Sequence, residues 1–206
     1  MRKATKKDKD KVVEIIAKTF ETNPGVIWMF KKGGDHNKYL KRLATYAFFK
    51  SVVRNGVFIS SNEKGVALCY QYNCKKFSVT EIFYQLWFVF SSINLWFIPN
   101  VLKRESYRKK MRPESGAYFY FWFLGVLPGG NEAAFELKNA IVKQAFQHKM
   151  PVYLETAVER NKKIYEKVGF KTYHYWEDKD QNIRFWFMKW EPDLHSVANT
   201  LETEIA

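Results

Sequence analysis

Cysteine, histidine and acidic residues are all scarce in this chain, and each shortage excludes something. The two cysteines, Cys69 and Cys74, sit in an apolar stretch. They match neither a zinc-ligand spacing nor the framework of a disulfide-stapled secreted domain, so a reducing compartment is expected. His36, His148, His174 and His195 are scattered without ligand spacing, and no metal site is expected. The start, Met1-Arg2-Lys3-Ala4, runs into charged sequence with no apolar signal region, which argues for a cytoplasmic location. From Ile82 to Leu102 no residue is charged, a length that suits a membrane span. Gln85, Ser91, Ser92, Asn94, Pro99 and Asn100 interrupt that run, and it is rich in Trp, Phe and Tyr. No transmembrane segment is therefore expected; the segment reads as an aromatic lid, a core layer or the wall of a substrate pocket.

What is present is a chain of 206 residues, 47% hydrophobic and 18% aromatic, enough for one globular domain with a sizeable core. Residues 1–190 carry the ordered pattern, and 191–206 read as a polar tail. Lysine and arginine total 34 against 21 acids, a net charge of +13. Phosphate-bearing ligands, anionic membranes and nucleic acid all attract such a charge. No nucleic-acid partner is expected, because no clustered Arg/Lys-aromatic motif of a known module is present. The basic runs Arg2 to Lys11 and Lys103 to Arg112 read first as solvated faces, the second also as a place to meet a phosphate.

Periodicity orders the elements. Val12, Val13, Ile15, Ile16 and Phe20 make an apolar stripe for a helix over 8–21, which Asn23-Pro24-Gly25 breaks. A second helix is predicted over 37–54, then a hairpin of strands 57–60 and 66–72. After the aromatic segment, Lys103 to Glu114 reads as a basic, proline-containing loop. Ala117 to Leu127 is apolar on both faces and belongs in the middle of a sheet. Pro128-Gly129-Gly130-Asn131 precedes a helix over 132–148; a strand over 152–156, a helix over 159–168 and strands 170–176 and 183–190 complete the order.

Within that order stand Leu154-Glu155-Thr156, Arg160-Asn161, Tyr165 and Gly169-Phe170. Together they resemble a segment of the GNAT N-acetyltransferases, in particular the subfamily that includes puromycin N-acetyltransferase. Arg2-Lys3-Ala4-Thr5 and Phe123-Leu124-Gly125-Val126-Leu127-Pro128 add weaker matches. The resemblance implies an α/β fold with a mixed, mostly antiparallel central sheet flanked by helices on both faces. It also implies transfer of an acetyl group from acetyl-CoA to a small-molecule primary amine; apart from the resemblance, a monomer or a homodimer paired through a sheet edge or the aromatic segment is expected. The family's cofactor loop carries Gly-x-Gly at a helix N-terminus, where backbone amides and the helix dipole meet a pyrophosphate. Here Pro128-Gly129-Gly130-Asn131-Glu132 abbreviates that loop, and Glu132 would repel a phosphate. The alternative is a non-catalytic GNAT-fold binding or regulatory module with a decayed CoA site.

By the same resemblance, backbone groups at Leu124 and Val126 pair with the pantetheine arm, and Asn161 contacts the cofactor. Gly129 and Gly130 expose amides to the pyrophosphate, with Asn131 as the helix cap, and Tyr165 is the general acid. A phenol with an ordinary pKa of about 10 stays protonated at neutral pH and can protonate a leaving thiolate. Glu155, a carboxylate inside an apolar strand, is the candidate base, its pKa raised by burial. Plainer readings remain open: a paired structural carboxylate for Glu155, a packing ring for Tyr165, a cap for Asn161 and an ordinary turn at Gly129-Gly130.

Overall fold

A computed structural model of the chain describes residues 1–72, 77–114, 116–179 and 182–192. Cys74 and nearly all of the predicted tail fall outside these residues. Helix α1 (Lys9–Thr19) buries the predicted stripe of Val12, Val13, Ile15 and Ile16. A single-turn α2 (Pro24–Ile27) starts at Asn23, whose side chain accepts from the Gly25 amide. It is followed by α3 (His36–Val52), capped by Asp35. The strands are β1 (Arg2–Lys3), β2 (Val57–Ile59), β3 (Gly65–Tyr72), β4 (Tyr118–Val126), β5 (Val152–Thr156), β6 (Lys171–Asp178) and β7 (Ile183–Trp190). Helices α4 (Val79–Ser92) and α5 (Ile98–Lys110) lie between β3 and β4, while α6 (Asn131–Gln147) and α7 (Glu159–Lys167) flank β5.

The seven strands form one sheet in the order β1-β2-β3-β4-β5-β7-β6. Every pairing is antiparallel except β4 with β5. This is the mixed, mostly antiparallel sheet expected, with helices on both faces and β4 at its centre. Side chains of β2 and β3 alternate: Val57, Ile59, Val66 and Leu68 pack against α1 and α3, while Phe58, Ala67 and Cys69 pack against Leu137, Ile141 and Ala145 of α6. In β4 the alternation is interrupted. Leu68 pairs with Phe123 and Cys69 with Phe121, so Trp122 has no partner in β3. This bulge sends Phe123 to the α1/α3 side and Phe121 to the α6 side, since one inserted residue reverses the face of those that follow.

Two expectations change here. Residues 103–110 belong to helix α5, not a loop. Pro99 sits in its first turn, where a proline costs no hydrogen bond. The run Lys103 to Arg112 is also no uniformly solvated face: Arg104 and Arg112 are buried, 6 % and 9 % exposed. Arginines at 104, 108 and 112 recur every fourth residue and turn one side of the segment inward.

Candidate active site

β4 and β5 run side by side only at their starts. Phe119 pairs with Val152 and Tyr120 with Tyr153; beyond these the ladder stops, although β4 continues to Val126 still paired with β3. The β5-facing edge of β4 after Tyr120 thus leaves the ladder and borders an opening between the two strands. A cavity of about 500 Å³ fills this region, lined by side chains of β4, β5, α3, α4, α5 and α7. Leu124, Glu155, Asn161 and Tyr165 all line it. The structure thus brings together four of the eight residues singled out in the sequence. Val126, Gly129, Gly130 and Asn131 lie further along, where β4 ends and α6 begins.

At one end of the cavity the Glu155 side chain, only 2% exposed, is held by three groups. Arg108 Nη2 donates to Oε2 at 2.7 Å, Arg112 Nε donates to Oε1 at 2.8 Å, and the Tyr120 hydroxyl donates to Oε2 at 2.5 Å. The Arg112 guanidinium also lies 4.0 Å from the Tyr120 ring centroid. Arg108 donates in addition to Glu105 Oε1 at 2.6 Å. Burial pushes the Glu155 carboxyl up, but the charges of Arg108 and Arg112 and the hydrogen bonds from Arg112 and Tyr120 outweigh it, holding the pKa at about 2. The expected rise in pKa is therefore reversed. A carboxylate so stabilised is a poor proton acceptor near neutrality.

Lys50 of α3 reaches the same cavity. Its ammonium donates to Tyr46 Oη at 3.4 Å and lies 5.0 Å from the Trp122 ring and 5.3 Å from the Tyr70 ring. Burial lowers its pKa, and among the described residues it makes no ion pair. Asn161 and Tyr165, one helical turn apart on α7, present one face to the cavity. Burial pushes the Tyr165 phenol up to about 12, so it holds its proton throughout the neutral range.

At the other end of β4, Gly129 has φ +73°, a conformation that favours glycine. A Cβ at Gly130 would meet Lys64 Cβ at 2.9 Å and the Leu127 carbonyl oxygen at 3.0 Å. The Gly130 amide donates to Leu127 O at 3.0 Å and is thereby engaged within the turn. Lys64 Nζ stands 3.5 Å from Gly129 O and brings a cation to the loop, opposite in sign to Glu132 in the first turn of α6. Asn131 is not the cap. The cap is Gly130, whose carbonyl already accepts from the Ala133 amide at 2.9 Å, which places Asn131 inside the first turn.

Sequence reading missed Arg108, Arg112, Tyr120 and Lys50. The fourfold spacing of the arginines was the available signal, hidden by treating 103–114 as a loop. Nothing local pairs Tyr120 with Glu155.

No protein-family profile matches the chain, and no curated protein sequence matches it. Solved structures do. An acetyltransferase of Corynebacterium glutamicum related to histone acetyltransferase HPA2 superposes with a TM-score of 0.68 at 18% identity, over 94% of this chain and 96% of that one. A polyamine N-acetyltransferase of Drosophila melanogaster gives 0.61 at 10% identity, over 92% and 98%. Arylalkylamine N-acetyltransferase 2 of Aedes aegypti gives 0.59 at 14%, over 93% and 98%. At these identities the likeness is one of fold, and the fold is that of the GNAT N-acetyltransferases.

Proposed function

We propose that the protein is an acyl-CoA-dependent N-acetyltransferase that acetylates a small-molecule primary amine. The observation that carries this is the parting of β4 from β5 after Tyr120, which opens a strand edge of β4 toward a cavity containing Tyr165 and Asn161. The fit to the donor follows from the same features. Backbone groups at Leu124 and Val126 offer an edge to an amide-containing arm, and Asn161 adds a side-chain contact. Gly129, Gly130 and Asn131 hold the loop at the start of α6, with Lys64 supplying a cation for a pyrophosphate.

Bound acetyl-CoA supplies the acyl group as a thioester. The new bond forms between the nitrogen of the neutral amine and the acetyl carbon, the carbon–sulfur bond breaks, Tyr165 gives its phenolic proton to the departing sulfur, and the proton that the nitrogen loses passes to solvent water, from which Tyr165 is reprotonated. Glu155 enters this proposal as an anchor rather than the base. By fixing Arg108, Arg112 and Tyr120 it shapes the acceptor end of the cavity. Phe88, Val89, Ile93 and Trp122 line the same cavity, and such walls suit an amine with an apolar or aromatic body. The likeness to the puromycin N-acetyltransferase subfamily, which rests on sequence motifs, is consistent with such an acceptor.

One observation favours a second reading, a GNAT-fold binding module without catalysis: the Gly130 amide is spent on Leu127 O, and Glu132 stands in the first turn of α6. Calorimetric titration of acetyl-CoA separates the two. Micromolar binding abolished by Gly130→Glu, followed by acetylation of an amine with thiol release, supports the enzyme. No binding up to millimolar acetyl-CoA selects the binding module.

A further inference from the structure

The segment joining β3 to β4 carries much of its apolar surface outward. Trp96 is 91% exposed, Phe77 83%, Phe90 63% and Phe83 62%. Along α4, Val79, Phe83, Leu86 and Phe90 recur at helical spacing on the exposed side. The opposite side packs on α3, where Tyr84 stacks on Phe49 at 4.4 Å and Phe88 is buried. Soluble proteins rarely leave so many large apolar side chains exposed along one segment unless it meets a partner.

Charge around the segment selects the partner. Between Phe77 and Arg104 the sequence holds one acid, Glu81. It is paired with Arg54 at 2.7 Å and is 13% exposed. Cations stand alongside the rings. Lys31 donates to Phe90 O at 2.9 Å; Arg42 donates to Ser91 O at 2.8 Å and lies 5.2 Å from the Trp87 ring. Lys38, Lys41 and Arg42 share a surface depression with Trp87, and Lys103 follows exposed Leu102. In that depression the acid is Asp35, whose carboxylate caps α3 by accepting from the Lys38 amide, and Lys41 pairs with Glu14. Lys31, Lys38, Arg42 and Lys103 make no ion pair among the described residues.

We propose that this segment docks on an anionic phospholipid membrane surface. Phe83, Leu86, Phe90 and Trp96 enter the boundary between headgroups and acyl chains, and the flanking lysines and arginine meet lipid phosphates. A second copy of the chain fits the face less well, because it brings the same unpaired cations and a net charge of +13 to the interface. The segment lies on the membrane and does not cross it. Among the described residues no helix is long and apolar enough for that, and α4 has 14 residues.

The test is cosedimentation of the full chain with vesicles of phosphatidylcholine alone and of phosphatidylcholine mixed with phosphatidylglycerol, at low and high salt. Binding is expected to the anionic vesicles, falling as salt rises and much weaker to the neutral ones. The double variant Phe83→Ser/Phe90→Ser should weaken it at least about tenfold while leaving thermal unfolding unimpaired. Lys38→Gln/Lys103→Gln, which leaves the apolar face intact, should weaken it by about fivefold per charge. Absence of binding to anionic vesicles at low salt, or equal binding to neutral ones, overturns the proposal. Concentration-dependent dimerisation that Phe83→Ser/Phe90→Ser abolishes would overturn it in favour of a second copy.

Discussion

The two ends of β4 hold their charges in different ways. At Tyr120 two guanidiniums, a phenol and the carboxylate of Glu155 hydrogen-bond to one another inside the protein, with Arg108 Nε left without a partner among the described residues. Near Gly129 and Gly130, Lys64 and Glu132 are exposed to solvent, and Lys64 Nζ stands 3.5 Å from the Gly129 carbonyl oxygen. Interior charges bind strongly or destabilise strongly according to whether every partner is present. Surface charges are weakened by water and salt, and they adjust affinity in small steps. The Glu155 end thus holds its charges through ion pairs within the protein, whereas the loop end leaves them exposed to solvent.

Removing one member of the interior unit should produce the largest effect. Glu155→Gln would leave Arg112 buried without a carboxylate and Arg108 with Glu105 alone, and should cost about 3–5 kcal/mol of stability in denaturant unfolding. A loss below about 1 kcal/mol would show that water replaces the ion pair and that the two ends do not differ as described. The same unit predicts an acid response. The Glu155 pKa is lowered from 4.5 to about 2, so its contribution is complete above the ordinary value and is lost as pH falls from there toward 2. The urea midpoint should drop in that window, and Glu155→Gln should flatten the drop.

Between the two ends, Tyr165→Phe should lower kcat by about a hundredfold with little change in acetyl-CoA affinity. An unchanged rate with an active substrate would remove Tyr165 from the reaction. At the loop, Gly130→Glu places a side chain against Lys64 Cβ and Leu127 O and adds a negative charge. Acetyl-CoA affinity measured by calorimetry should fall at least about tenfold. Lys64→Ala should produce the smallest change, a weakening of about threefold that disappears in high salt. A larger, salt-independent loss would mean that the loop lysine is desolvated like the arginines at the other end.

Much of the fold was legible before the structure. The stripe of α1, the two-faced apolar run of β4 and the turn signals around α6 each reflect burial acting on a local period. The positions of Leu124, Glu155, Asn161 and Tyr165 on their elements were legible too, and these residues share the cavity. α5 was not legible: proline and a dense run of cations read as loop because nothing nearby in sequence indicates that Arg108 and Arg112 have a buried partner. The bulge at Trp122 was equally hidden, since β4 is apolar at every position and offers no alternation to break.

Composition and periodicity were enough to place most of the helices and strands and to put β4 in the middle of a sheet, while the mixed, mostly antiparallel arrangement was expected from the family resemblance. Apolar burial is additive along the chain, and each helix or strand displays its own share. Only the assembled structure decided that Glu155 is an ion-pair anchor, that arginines line a cavity and that the rings of α4 face outward. Arg108 and Glu155 are 47 residues apart, and the energy of a buried charge depends on what surrounds it in space.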